Sequence, residues 1–252
     1  MDRIYRVKQA DGARYAIERD GARHWLEGDL FGAYRRGAPI REDGLTYLAP
    51  VAPSKIMAIG LNYRDHAAEM NKKLPEEPLV FMKPATAVIG PEEPIHIPLW
   101  AGRVDYESEM AVVISRRAKN VAVADAMQYV LGLTCLNDVT ARDLQNRDVQ
   151  YTRAKGFDTF APIGPCIAVG LDPSSLVIEG WVNDDRKQHS NTNQLIFTVP
   201  ELVAFVTRFC TLEAGDVITT GTPSGVGPLR PGDRVTVKVE GVGELSNPCV
   251  EG

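Results

Sequence analysis

Residues 105–114 read DYESEMAVVI. Asp105, Glu107 and Glu109 stand at every second position where an apolar run begins. Side chains two apart on a strand share a face. Glu107 and Glu109 are therefore expected side by side, with Asp105 extending the row. Carboxylates that close raise one another's pKa unless a cation lies between them. A hard divalent ion, Mg²⁺, Mn²⁺ or Ca²⁺, resolves the conflict because it takes oxygen ligands and balances charge. One strand cannot complete such a site. Asp138 is the candidate third ligand, since it follows the apolar strand 131–136 and a side chain emerges at a strand end. Two Glu and one Asp would leave open coordination positions for water or substrate, which suits catalysis more than structure. The ordinary alternative is an acidic solvent face that deters edge pairing.

Three further groups could do chemistry. His66 and Glu69, three apart on an expected helix, can touch. A carboxylate beside an imidazole orients it and raises its basicity, as a general base requires. A surface His–Glu contact is the plain alternative. Lys155, between a polar helix and an apolar strand, could hold an anionic substrate or stabilise an enolate if it lies near a metal, and is otherwise an exposed lysine. The turn TTGTPSGVG (219–227) could present backbone N–H groups and the Thr222 hydroxyl to a carboxylate. It lacks the Gly-Lys-Ser/Thr ending of a P-loop and is not G-x-G-x-x-G. It could equally be a tight connection between strands.

The elements that must position these groups are short and mostly β. Residues 1–52 read as a small β-rich module, with hairpin signals at Asp11-Gly12 and Asp20-Gly21 and a proline-punctuated connector at 48–53. Strands are expected at 55–60, 79–84, 104–114, 131–136, 162–171, 176–183, 216–220 and 233–240. Helices are expected at 62–70, with Asn62 as a possible cap, at 123–131, over the polar stretch 140–153, and at 200–210. In the last, Leu202, Val203, Val206 and Phe209 are expected to share a face. The NKKLPEEP stretch (71–78) reads as a loop. The class is strand-rich α+β.

Composition sets outer bounds. The chain has 252 residues, 44% of them apolar, and a net charge of −5 with acids and bases mixed. It can bury a full core. It shows no basic stripe of a nucleic-acid binder and no apolar run of membrane-spanning length. Its start, MDRIYRVKQADG, lacks a signal-peptide core. A cytoplasmic protein is expected, with no nucleic-acid or membrane partner. Cys135, Cys166, Cys210 and Cys249 are far apart and expected as free thiols.

Six segments in order carry a resemblance: GLNYRDHAAEM (60–70), FMKP (81–84), DYESEMAVVI (105–114), NDVTARDLQ (137–145), AKGFDTFAPIGP (154–165) and GDVITTGTPSGVG (215–227). Together the chain resembles the fumarylacetoacetate hydrolase superfamily from residue 56 to 247. The resemblance implies a mixed β-roll catalytic domain over 53–252, a homodimer, and Mg²⁺ or Mn²⁺ held by Glu107, Glu109 and Asp138. It implies that His66 and Glu69 form an acid/base dyad on a segment that closes over substrate. Arg142 and Gln145 match pocket positions, Lys155 the pocket lysine, and Thr222 a turn that contacts a substrate carboxylate. Asp105 matches a position that supports the ligands. Leu61 departs from a frequent polar or basic residue, and Gly156 from a frequent serine.

Family substrates are mostly 2-oxo or 2,4-dioxo acids, and a metal-stabilised enolate is the shared intermediate that the resemblance implies. The arrangement of the N-terminal module and His-bearing segment resembles bacterial isomerases and decarboxylases of aromatic degradation, acylpyruvate hydrolases and oxaloacetate decarboxylases. C–C bond hydrolysis or decarboxylation is the leading expectation. Isomerisation of 2-hydroxy-diene-dioates is the alternative, and a non-enzymatic metal-binding protein is the rival class. The metal ligands do not discriminate among the reactions.

Overall fold

The computed structural model describes residues 1–41 and 44–252. Its main sheet runs, in spatial order, through Tyr34–Pro39, Ala22–Gly28, Gly12–Arg19, Asp2–Gln9, Ala161–Val169, Val130–Asn137, Ser108–Ile114, Val217–Thr219, Lys55–Gly60 and Leu79–Pro84. All these neighbours are antiparallel except Val217–Thr219 and Lys55–Gly60, which pair in parallel. A second sheet orders Asp185–Asn191, Val177–Val182, Arg234–Val239, Gly243–Glu251 and Ile95–Ile97. A small third sheet places Val104–Tyr106 between Thr140–Ala141 and Gly227–Pro228. The architecture is the strand-rich α+β class expected.

Burial follows the apolar runs. Every residue of Ser108–Ile114 is buried, as a central strand covered on both faces should be. Val112 packs with Leu133, Ile178, Val237 and Leu245 between the two large sheets. Its neighbours Ala111 and Val113 face the other way, onto Ile4, Ile56, Ile163 and Ile167. The N-terminal strands join this layer directly, because Arg3 pairs with Ala168 across the Asp2–Gln9 and Ala161–Val169 strands. The second hairpin turns on Asp20 and Gly21, both at positive φ (55° and 78°), as a primed two-residue turn requires.

Four helical expectations are corrected. Helix α1 spans Arg64–Glu69 with Tyr63 at its N-cap. Asn62 is instead a buried bridge: its Oδ1 accepts from Phe197 N–H at 2.8 Å and its Nδ2 donates to Thr220 O at 2.9 Å. Residues Val123–Tyr129 form 3₁₀ turns, and the next strand begins at Val130. The stretch 140–153 divides into α2 (Arg142–Arg147) and α3 (Thr152–Lys155), because Asp148 turns extended and its carboxylate pairs with Arg153 at 2.8 Å. Helix α4 spans Val199–Phe209, opened by a capping box between Thr198 and Glu201. It buries Leu202, Val203 and Val206, but Phe209 is 56% exposed and packs edge-on against Phe205. All four cysteines are free thiols.

The expected 104–114 strand is also two strands. Val104–Tyr106 belongs to the small sheet and Ser108–Ile114 to the large one. The break falls on Glu107, whose N–H donates to the Asn137 side chain at 3.0 Å while its carbonyl accepts from Asp138 N–H at 2.9 Å.

Candidate active site

That break places three carboxylates together. Single oxygens of Glu107, Glu109 and Asp138 lie within 4.8 Å of one another, and all three residues are buried. Asp138 sits just beyond Asn137, which pairs with Ser108 across the strands, so the two strand ends deliver their acids to one point. Asp105 turns elsewhere. Its oxygens accept from Arg103 Nε at 2.6 Å and Arg142 Nε at 2.8 Å. The row of three acids on one face is thus two acids at the cluster and one supporting Arg142.

Cations surround the cluster unevenly. Lys155 Nζ donates to Glu107 Oε2 at 2.8 Å and to Asp138 Oδ2 at 2.6 Å. Arg142 Nη2 donates to the other Glu107 oxygen. Burial pushes the Glu107 carboxyl up, but Lys155 and Arg142 outweigh it and hold it down at about 2. Glu109 accepts from the Gly221 N–H at 2.8 Å and has no lysine or arginine contact among the described residues. Its burial, with Asp138 and Glu107 adding repulsion, pushes its carboxyl well above the usual range. Burial also disfavours the Lys155 charge, yet Asp138 and Glu107 raise its pKa on balance.

Lys83, within the FMKP segment, has no role expected from the sequence. It is fully buried, and its Nζ donates to Asp138 Oδ1 at 2.6 Å and Val139 O at 3.2 Å. Burial lowers its pKa, which Asp138 only partly offsets. A signal existed in the alternation of Leu79–Pro84. Lys83 shares a face with Phe81, which lines the cavity, while Met82 between them is 47% exposed.

The dyad residues meet as well. His66 Nδ1 lies 2.9 Å from Glu69 Oε2. Glu69 Oε1 accepts from Gly225 N–H at 3.1 Å. Helix α1 is held in place by Tyr63, which is fully buried, by Arg64 donating to Leu195 O, and by Asp65 accepting from Ser190. Two N–H groups of the 219–227 turn donate to the protein's own carboxylates: Gly221 to Glu109 and Gly225 to Glu69. Gly221 lies at φ +88°, and a Cβ there would meet the Asn62 Cβ at 2.9 Å, so only glycine suits. The Thr222 hydroxyl donates to Ser108 O at 3.0 Å and accepts from Gln188 at 2.8 Å.

A cavity of about 210 Å³ brings these groups together. His66, Glu107, Glu109, Asp138, Lys155 and Thr222 line it, as do Arg142 and Gln145. Arg142 Nη1 donates to Gln145 Oε1. Leu61, at φ +33°, and the aromatic Phe81 and Tyr151 complete the wall. The Lys155 ammonium stands 5.0 Å from the Phe81 ring centroid. The cluster suits a hard divalent ion: it offers only carboxylate oxygens, at suitable separation, and Glu109 has no contacting cation of its own. No helix of the described residues is long and apolar enough to cross a membrane.

Residues 55–250 match the family described as fumarylacetoacetate (FAA) hydrolase C-terminal. The chain belongs to this family. It is 58% identical over 205 residues to an uncharacterised protein of Archaeoglobus fulgidus, covering 81% of this chain and 82% of that one. It is 42% identical over 224 residues to the mitochondrial oxaloacetate tautomerase fahd2 of Xenopus laevis, covering 84% of this chain and 70% of the relative. Among solved structures, 5-carboxymethyl-2-hydroxymuconate delta-isomerase from Mycobacterium smegmatis superposes with a TM-score of 0.92 at 42% identity, covering 99% of this chain and 100% of that one. The protein is an enzyme of the fumarylacetoacetate hydrolase family, whose members commonly bind divalent metals.

Proposed function

We propose that the protein catalyses metal-dependent proton transfer, a keto–enol tautomerisation or isomerisation, on a small 2-oxo dicarboxylic acid. The observation that carries this is that His66, paired with Glu69, lines the same small cavity as the three-carboxylate cluster. The names of the two relatives, a tautomerase and a delta-isomerase, denote rearrangement rather than bond cleavage. They move weight from the hydrolysis and decarboxylation expected from sequence to the isomerase alternative. The cavity, at about 210 Å³, is below the roughly 300 Å³ floor of drug-sized sites, which favours a small acid.

Glu107, Glu109 and Asp138 would hold Mg²⁺ or Mn²⁺. That ion would supply a Lewis acid for the negative charge that develops on the substrate's C2 oxygen. The remaining work belongs to side chains. Glu69 holds Nδ1 of His66, so Nε2 takes the proton from C3 and returns it to the C2 oxygen. Glu69 also stabilises the imidazolium between the two transfers. Lys155 fixes the orientation of Glu107 and Asp138 and adds positive charge beside the forming oxyanion. Arg142 fixes Glu107 from the other side. Gln145 accepts from Arg142 through its oxygen, which leaves its amide N–H groups to donate to a substrate carboxylate. With the Thr222 hydroxyl committed within the protein, the backbone of its turn makes any carboxylate contact there.

The deciding experiment follows enol-oxaloacetate by ultraviolet absorbance, with parallel assays for pyruvate and carbon dioxide, with and without Mg²⁺ or Mn²⁺. Ketonisation that needs the metal and releases no pyruvate is expected. Stoichiometric pyruvate or carbon dioxide would replace this reading with decarboxylation, and metal-independent turnover would remove the cluster from the chemistry.

A further inference from the structure

A second cavity, of about 290 Å³, adjoins the first. The two share His66, Met70, Lys72, Arg142, Gln145 and Tyr151 in their walls. The outer one adds Glu69, Arg103, Asp105 and Val226, among others, and holds none of the three clustered carboxylates. The site is thus a two-compartment cleft, with Lys72 on both walls.

The charges of the outer compartment are unequally used. Its Asp105 is already shared between Arg103 and Arg142. Its Glu69 is engaged by His66 and Gly225 N–H. Arg142 spends Nε on Asp105, Nη1 on Gln145 and Nη2 on Glu107. Arg103 commits its Nε to Asp105 and leaves its Nη groups without a protein acceptor among the described residues. Lys72 has no carboxylate of the described residues within 4.0 Å. An uncommitted ammonium and a half-committed guanidinium on the walls of one cavity, where the carboxylates present are already engaged, suit an anion.

Lys72 is held there by the backbone. Helix α1 ends in a Schellman turn: Asn71 adopts φ +50°, its N–H donates to Ala68 O at 3.0 Å, and the Lys72 N–H donates to Ala67 O at 2.9 Å. This turn satisfies the last helical carbonyls and reverses the chain directly after Glu69. The residue next to the left-handed position is thereby placed at the mouth of the cleft.

We infer that Lys72, assisted by Arg103, binds the second carboxylate of the substrate and sets the preference for dicarboxylic over monocarboxylic 2-oxo acids. The inference rests on the function proposed above, which puts the 2-oxo end of the substrate in the inner compartment. The test compares wild type, Lys72→Met and Lys72→Arg with oxaloacetate and phenylpyruvate as the diacid and monoacid. Lys72→Met should lower the diacid-to-monoacid ratio of kcat/KM about ten- to hundredfold, chiefly through KM for the diacid, as expected for losing one hydrogen bond to a charged group. Lys72→Arg should restore most of the ratio. Calorimetric titration with 2-oxoglutarate and with oxalate, in Mg²⁺, reads binding without turnover. Lys72→Met should weaken 2-oxoglutarate by the same factor and oxalate much less. Equal losses for both ligands, an unchanged ratio, or no binding of 2-oxoglutarate to wild type would overturn the inference. If wild type binds 2-oxoglutarate through Lys72 yet turns over neither acid, the reaction assignment fails while the anion site stands.

Discussion

Glu69 joins two parts of the molecule: Oε1 accepts the Gly225 N–H at 3.1 Å, and Oε2 lies 2.9 Å from His66 Nδ1. The glycine-rich turn thus sets the carboxylate, and the carboxylate sets the imidazole. His66→Ala should lower kcat by about 10²–10⁴-fold, the usual worth of a positioned base, with KM little changed. Glu69→Gln should cost less, because glutamine can still accept from Gly225 but cannot balance an imidazolium. Stopped-flow absorbance on the two variants checks this, and an undiminished kcat in His66→Ala would take the dyad out of the mechanism.

The three-carboxylate cluster should make stability depend on metal. An ion at one hundred times its Kd stabilises the native state by about 2.7 kcal/mol, which for a chain of this size is about 5–10 °C in Tm. Oxalate should add a further rise only when the metal is present. Glu109→Gln should abolish both shifts, since Glu109 has no lysine or arginine contact to replace the ion. Differential scanning fluorimetry with chelator, Mg²⁺ and Mn²⁺ reads the outcome. Equal shifts in wild type and Glu109→Gln would place the ion elsewhere.

Much of this site was legible in the sequence, for identifiable reasons. Glu107, Glu109 and Asp138 follow from period-two alternation and from the strand end at Asn137, both local rules. His66 and Glu69 follow from helical spacing. What was not legible depends on contacts between distant segments. Asn62 looks like a helix cap, but its amide is claimed by Phe197 and Thr220. Phe209 fits the helical stripe of α4, yet the core ends a turn before it. Lys83 reads as an interruption of an apolar strand until Asp138 is seen beside it. The break at Glu107 arises because Asn137, thirty residues on, supplies the partner for its N–H.

Asp216 links the turn before Val217–Thr219 to the start of Lys55–Gly60. Its carboxylate, buried, accepts from Glu213 N–H at 2.8 Å, Ser54 N–H at 3.0 Å and Ser54 Oγ at 2.7 Å, and pairs with Lys55. Burial pushes this carboxyl up, but the Glu213 N–H, Lys55 and Ser54 together hold it below its ordinary value. A group depressed on folding stabilises fully above its unfolded pKa, about 3.9, and loses that contribution as pH falls through the folded value. Asp216→Asn should therefore cost about 2–3 kcal/mol at pH 7. The gap to wild type should begin to close only below about pH 4. Melting curves from pH 3 to 8 for both proteins check it, and a gap that closes between pH 6 and 8 would contradict the assignment.

Gly225 and Gly232 provide a matched pair. Both lie at strongly positive φ, +94° and +96°. A Cβ on Gly225 would sit 2.1 Å from Lys187 O, whereas one on Gly232 would meet nothing within 4 Å. Each alanine substitution carries left-handed strain of about 1–3 kcal/mol, or about 2–12 °C in Tm. Only Gly225→Ala must also move the turn, because Lys187 O is backbone and cannot step aside. Its N–H is the one that holds Glu69, so the displacement reaches His66. Gly225→Ala should lose both stability and kcat, while Gly232→Ala should lose stability with kcat retained. Melting temperature and turnover measured on the two variants separate general strain from damage to the dyad. A kcat that falls equally in both would show that the turn does not position Glu69.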